Sequence, residues 1–137
     1  MGRTLLVVGI LVALVGGEAT AAVPTFNSLR FYSEANFTEA IKPYTDAIAR
    51  NPNDSEAHRW LGVAYMYAFR QSRLGLAPYA SGFGAKAVQS LERSVELKAQ
   101  AAVMLALAEA YIAVGTPDKS RALLDRLMQM APPLSLK

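Results

Sequence analysis

Few residues in this 137-residue sequence could do covalent chemistry. His58 is the only histidine, and there is no cysteine. No Ser-His-Asp set can be assembled around one imidazole, and a thiolate nucleophile or thiolate metal site is excluded. Gly82-Phe83-Gly84 lacks the third glycine and the preceding strand of a phosphate-binding loop. The carboxylates are dispersed over separate segments, so no acid-base pair is evident. These residues point away from an enzyme and from any cofactor or metal. One constellation could instead recognise something. Arg59, Val63, Met66, Arg70 and Arg73 recur at steps of four and three, which puts them on one face of a helix. Three guanidinium groups beside an apolar strip suit an acidic or carboxylate-bearing peptide. The competing reading is that the arginines only solvate an exposed helix face.

The chain that must position this face is short enough for one domain. Its formal net charge of +3 comes from bases scattered among acids, without the clustered basic face of a nucleic-acid binder. At the N-terminus Arg3 precedes an unbroken apolar stretch, Leu5 to Val15. Ala19-Thr20-Ala21-Ala22 follows, with small residues suited to cleavage after Ala21 or Ala22. That order is the signature of a secretory signal peptide over residues 1–22. An uncleaved membrane anchor through residues 4–16 is the alternative. A spanning helix needs about 20 apolar residues, and Thr4 to Val23 reaches that length only by including Glu18. Either way the remainder, 23–137, is expected outside the cytoplasm. It would be periplasmic or secreted, or tethered to the inner membrane.

From about Pro24 onward, apolar spacing near 3.6 makes the fold all-α. The segments also resemble one another. Ala40-x3-Tyr44 leads to Asn51-Pro52, Ala87-x3-Leu91 to Lys98-Ala99, and Ser120-x3-Leu124 to Ala131-Pro132. Upstream, His58-x2-Leu61-Gly62-x2-Tyr65 matches Met104-x2-Leu107-Ala108-x2-Tyr111. Gly62 and Ala108 are small where a neighbouring helix would cross. Tyr65 and Tyr111 would fill the gap between paired helices. This pattern resembles the tetratricopeptide repeat, a helix-turn-helix of about 34 residues.

The resemblance implies a short right-handed α-solenoid of three helix pairs, at about 23–54, 55–100 and 101–132. The first helix of the first pair should fall near Pro24 to Ala35, with Ser28 as its small residue and Phe31 as its large one. Its second helix should be capped by Asn36, with Glu39 as capping-box partner. The middle pair should be extended, because Tyr65 and Ala87 lie 22 residues apart where the pattern has about nine. Glycines and Pro78 would form the turn of a hairpin that projects beyond its neighbours, with Tyr67, Phe69, Tyr79 and Phe83 clustered around it. In the third pair Gly115 ends one helix, and Thr116 caps the next with Pro117 at its first position.

In this family the first helices of each pair line a concave groove. That implies a partner-binding groove of Arg59, Val63, Met66, Tyr67, Arg70 and Arg73, facing Leu105, Glu109 and Ile112. Val63 stands where the family's carboxylate clamp needs Asn, so the chaperone-tail version of that clamp is not expected. His58 sits at the repeat's Trp position and reads as packing. The final helix carries Leu123, Leu124, Leu127, Met128 and Met130, more apolar residues than one neighbour can cover. Either Leu134 and Leu136 of the tail fold back on them or another subunit does. The expected function is an exported adaptor or scaffold that holds a protein or peptide partner. The alternative is a small accessory subunit docked permanently in a larger membrane or envelope complex.

Overall fold

The computed structural model describes residues 22–131. The expected signal peptide or anchor, and the tail from Pro132 with Leu134 and Leu136, lie outside the described residues. Five α-helices follow in order: α1 Glu34–Arg50, α2 Ser55–Arg73, α3 Phe83–Leu97, α4 Ala101–Ala113 and α5 Pro117–Met130. No strand occurs among the described residues. The order is that of a short solenoid, in which α2 packs on α3 and α4 on α5 as hairpins.

The expected sixth helix is absent. Residues 22–33 form an irregular strap with a turn at Ser28 and Leu29. Asn27, which stands where the repeat wants Leu, supplies the local reason. Its Oδ1 accepts from the Leu29 N–H at 2.9 Å, and its carbonyl accepts from the Tyr32 hydroxyl at 2.8 Å. Such side-chain bonds satisfy the backbone in a turn and compete with helix. Phe26 and Tyr32 are the buried aromatics of the strap, whereas Phe31 points outward. The solenoid therefore has one unpaired helix, α1, and two complete pairs.

The helix ends explain where each element starts and stops. Ser33, not Asn36, caps α1, its Oγ accepting from the Asn36 N–H at 3.2 Å. Asp54 caps α2 by accepting from the Ala57 N–H at 3.0 Å. α2 and α4 end alike, each on a glycine in the left-handed region, Gly75 at φ 77° and Gly115 at φ 86°. Around Gly75, the Leu76 N–H donates to the Gln71 carbonyl and the Gly75 N–H to the Ser72 carbonyl. Thr116 and Gly115 repeat the pattern on Tyr111 and Ile112. These are Schellman motifs, which satisfy the last carbonyls of a helix. Thr116 spends its hydroxyl on the Tyr111 carbonyl at 3.0 Å, so it does not cap α5 through its side chain.

The core has two parts. The first gathers Phe26, Tyr32, Phe37, Tyr44 and Leu61 with small residues of α2 and the α2–α3 turn. The second gathers Met66, Leu91, Val95, Val103, Met104 and Leu107. Val63 and Tyr65 touch both. Trp60 packs on the first. The turn after α2 does not stand wholly clear of its neighbours. Its 3₁₀ segment Pro78–Ala80 folds down, burying Ala77 and Ala80. The Tyr79 hydroxyl donates to the Tyr32 carbonyl at 2.9 Å. Of the four aromatics expected around this turn, Tyr67, Tyr79 and Phe83 join the first core and Phe69 the second.

A candidate protein-binding face on α2 and α4

α2 and α4 lie side by side and run in the same direction. Two side-chain contacts show this by their nearly constant offset. Arg70 Nη2 meets Glu109 Oε2 at 3.0 Å, and Arg73 Nη1 donates to the Ala113 carbonyl at 3.0 Å. Between them lies a cleft of about 190 Å³, walled by Val63, Tyr67, Arg70, Ala106 and Glu109, with Ser28 of the strap at its edge.

The nine residues expected to form the groove do not all come together. Val63, Tyr67, Arg70 and Glu109 come together at the cleft. Met66 also reaches it, but its side chain is buried in the second core. Leu105 and Ile112 sit on the outer side of α4, 48% and 60% exposed. Arg59 stands apart, three turns before Arg70, or about 16 Å along the helix. It lies over the Trp60 ring at 4.7 Å and meets Glu56 at 3.5 Å. Arg73 crosses the face of Phe69, 5.9 Å from its centroid, on its way to α4.

The arginine row is therefore not a ready-made clamp. Arg70 bridges to α4, and Arg73 bonds a last-turn carbonyl of that helix, where a cation is favoured. A ligand carboxylate would compete with Glu109 for Arg70. Both partners of that pair are more than half exposed, so the pair contributes little to stability and can be exchanged. His58 lies away from this cleft, its Nε2 2.9 Å from the Pro52 carbonyl. It lines a separate recess with Ile48, Gln89 and Arg93.

Periodicity gave no sign that the strap would border the cleft. Tyr67 donates its hydroxyl to the Arg30 carbonyl at 2.6 Å, a contact across 37 residues that no repeat pattern encodes.

Behind the face, Tyr111 ties the two hairpins together by donating to Glu92 Oε1 at 2.7 Å. Burial, followed by that carboxylate, pushes its phenol from 10.0 up to about 12. The folded state thus holds this proton more tightly than the unfolded chain. The contribution is complete below pH 10 and is lost as pH rises through about 12. Denaturation midpoints measured between pH 9 and pH 12 should fall with pH. Tyr111→Phe should make that fall shallower by about one proton, and an identical slope would remove Tyr111 from the account.

Residues 28–70 match the family described as Tetratricopeptide repeat. The matched stretch covers all of α1 and α2 as far as Arg70, and the hairpins that follow extend the same helical array. No curated protein matches the chain. Repeats of this family serve in general as protein–protein interaction modules.

Proposed function

We propose that this tetratricopeptide-repeat protein is an exported adaptor that holds a protein or peptide partner along the α2–α4 face. One observation carries the reading. The α4 segment Ala101–Ala113 has one charged residue, Glu109, and is otherwise apolar apart from the Tyr111 hydroxyl. A helix apolar on all sides belongs in a core, yet Leu105 and Ile112 are left uncovered. They lie two turns apart on the side that also carries Ala102 and Glu109, beside the cleft that holds Arg70. A partner would rest apolar side chains on Leu105 and Ile112 and set an acidic group against Arg70. Export rests on the order of Arg3, the apolar run Leu5 to Val15 and the small residues before Val23.

Photo-crosslinking in the native cells tests the binding face. A crosslinker at Leu105 should trap one defined partner, while one at Gln89, exposed on α3, should not. Arg70→Glu should weaken the Leu105 crosslink. Trapping from Gln89 alone would move the partner to the other side of the molecule. Intact mass of the purified protein tests export, with a mature start at Ala22 or Val23 as the expected result.

A second reading has its own support. α5 leaves Leu124, Met128 and Met130 exposed, and its last turn borders an apolar recess with Ala101 and Leu127. Contiguous apolar surface of this kind marks interfaces. A docked accessory subunit would use this end of the array. Isolation within a stable complex, with Met1 retained, would favour that reading.

A further inference from the structure

The recurrence that aligns Ala40, Ala87 and Ser120 also aligns Tyr44 with Leu91 and Leu124, and Ile48 with Val95 and Met128. These matched positions have different fates. Tyr44 is buried in the first core with Leu61 of α2. Leu91 and Val95 are 0% and 6% exposed, packed in the second core with Val103, Met104 and Leu107 of α4. Leu124 and Met128 are 36% and 74% exposed. The first helix of the next pair thus covers α1 and then α3, and nothing among the described residues covers α5. The first helices repeat the contrast. Met66 is buried in the second core, whereas its match on α4, Ile112, is left uncovered.

The end of the array therefore presents the seat that α4 occupies one step earlier. Leu124 and Met128 lie one turn apart on one face of α5. Beside them, the last turn of α5 and the start of α4 enclose an apolar recess of about 430 Å³, bordered by Ala101, Leu127, Met128, Met130 and Ala131. Arg121 and Asp125 share the exposed face and are opposite in charge, so the apolar row, and not charge, selects the occupant. A second copy does not match it. The outer face of α1 exposes no large apolar side chain, so head-to-tail stacking is unsupported. A copy turned end to end would bring an identical groove and no helix to lie in it.

From this register we propose that the α4–α5 groove takes an amphipathic helix of a partner protein, laid beside α4 as α4 lies beside α2. The inference rests on the second reading above, that the α5 end is an interface, and adds what fills it. The groove continues the interface by which α4 seats on the preceding pair. There α4 buries Val103, Met104 and Leu107, a spacing of i, i+1 and i+4. The partner helix would bring large apolar residues at that spacing and polar residues elsewhere, because its outer side stays in water. Thirteen residues, the length of α4, span the seat.

The probe is a fluorescent peptide of about 18 residues, long enough to be partly helical alone. It carries Val, Met and Leu at that spacing on a Glu, Lys and Gln background, with a scrambled peptide of the same composition as control. Anisotropy with the full chain should show saturable binding of the patterned peptide only, with a gain in helicity by circular dichroism. Met128→Asp should weaken binding about tenfold or more without moving the Tm, whereas Leu74→Asp, exposed on the turn after α2, should change nothing. No binding of the patterned peptide, or binding indifferent to Met128→Asp, would overturn the helix as occupant. A photo-crosslinker at Met128 in the native cells separates this inference from the reading beneath it. The expected product maps, by mass spectrometry, to a partner segment with the i, i+1 and i+4 spacing. A partner trapped through a segment without that spacing would overturn the helix and leave the α5 end an interface. A crosslink to Leu134 or Leu136 of the same chain, or to a second copy alone, would overturn both.

Discussion

Gly62→Val is expected to destabilise the fold by about 3 kcal/mol, with loss of the cooperative transition at physiological temperature if the margin is small. A β-carbon at Gly62 would lie 2.6 Å from Leu91 Cγ and 2.9 Å from its Cδ2. The Leu91 backbone nitrogen would be 3.1 Å away. Leu91 is fully buried between the two hairpins, so it cannot swing aside, and the nearby backbone means that α3 itself must move. Glycine costs a helix interior up to about 1 kcal/mol against alanine. Close approach of α2 and α3 outweighs that propensity here.

A double-mutant cycle identifies the cause. Leu91→Ala alone should cost about 2–5 kcal/mol by opening a cavity. Combined with Gly62→Val it should cost less than the sum, since the valine fills part of that cavity. Thermal or urea denaturation followed by circular dichroism reads all three variants. Strict additivity would mean that the two residues do not meet. Gly84 provides the contrast within the same fold. Its nearest obstacles are Val114 Cγ1 at 2.8 Å and the Phe69 ring edge. Val114 is only partly buried and follows the end of α4, so a methyl there should be tolerated better.

Positions such as Gly62 were legible in the sequence because a repeat encodes its own crossings. Small residues at Gly62, Ala87 and Ala108 recur where helices touch, and Tyr65 and Tyr111 recur where pairs need filling. Helix ends were legible where the signal is a glycine, as at Gly115, and less so where several polar residues compete. Ser33, Asn36 and Thr38 stand close together near the start of α1, and only geometry selects Ser33.

The strap was illegible for a different reason. Asn27 sets its turn locally, but its course over the core is held by Tyr67 and Tyr79, 37 and 47 positions from the carbonyls they bond. The candidate face was legible only in part. The steps of four and three predict one side for Arg59, Arg70 and Arg73. They cannot reveal that Glu109 and the Ala113 carbonyl, from a helix some 40 residues later, already engage two of them.

What holds the strap in place of a helix gives the second large expectation. Phe37→Ala should cost about 3–5 kcal/mol. Phe37 is 2% exposed, and five rings surround it with centroids 5.5 to 6.4 Å away: Phe26, Tyr32, Tyr65, Tyr79 and Phe83. Two come from the strap, one from α2, one from the α2–α3 turn and one from α3. Removing Phe37 thus loosens the strap, the turn and the start of α3 together. Tyr79→Phe keeps the ring and deletes one bond to the Tyr32 carbonyl, so it should cost only about 1 kcal/mol. Limited proteolysis distinguishes the two roles. Trypsin should cut after Arg30 much faster in Phe37→Ala and only slightly faster in Tyr79→Phe. Equal cleavage in both variants would mean that the hydroxyl bond, and not the aromatic packing, fixes the strap. The α4–α5 pair packs on the second core, which lacks Phe37, so its amide protection should outlast that of the strap in the alanine variant.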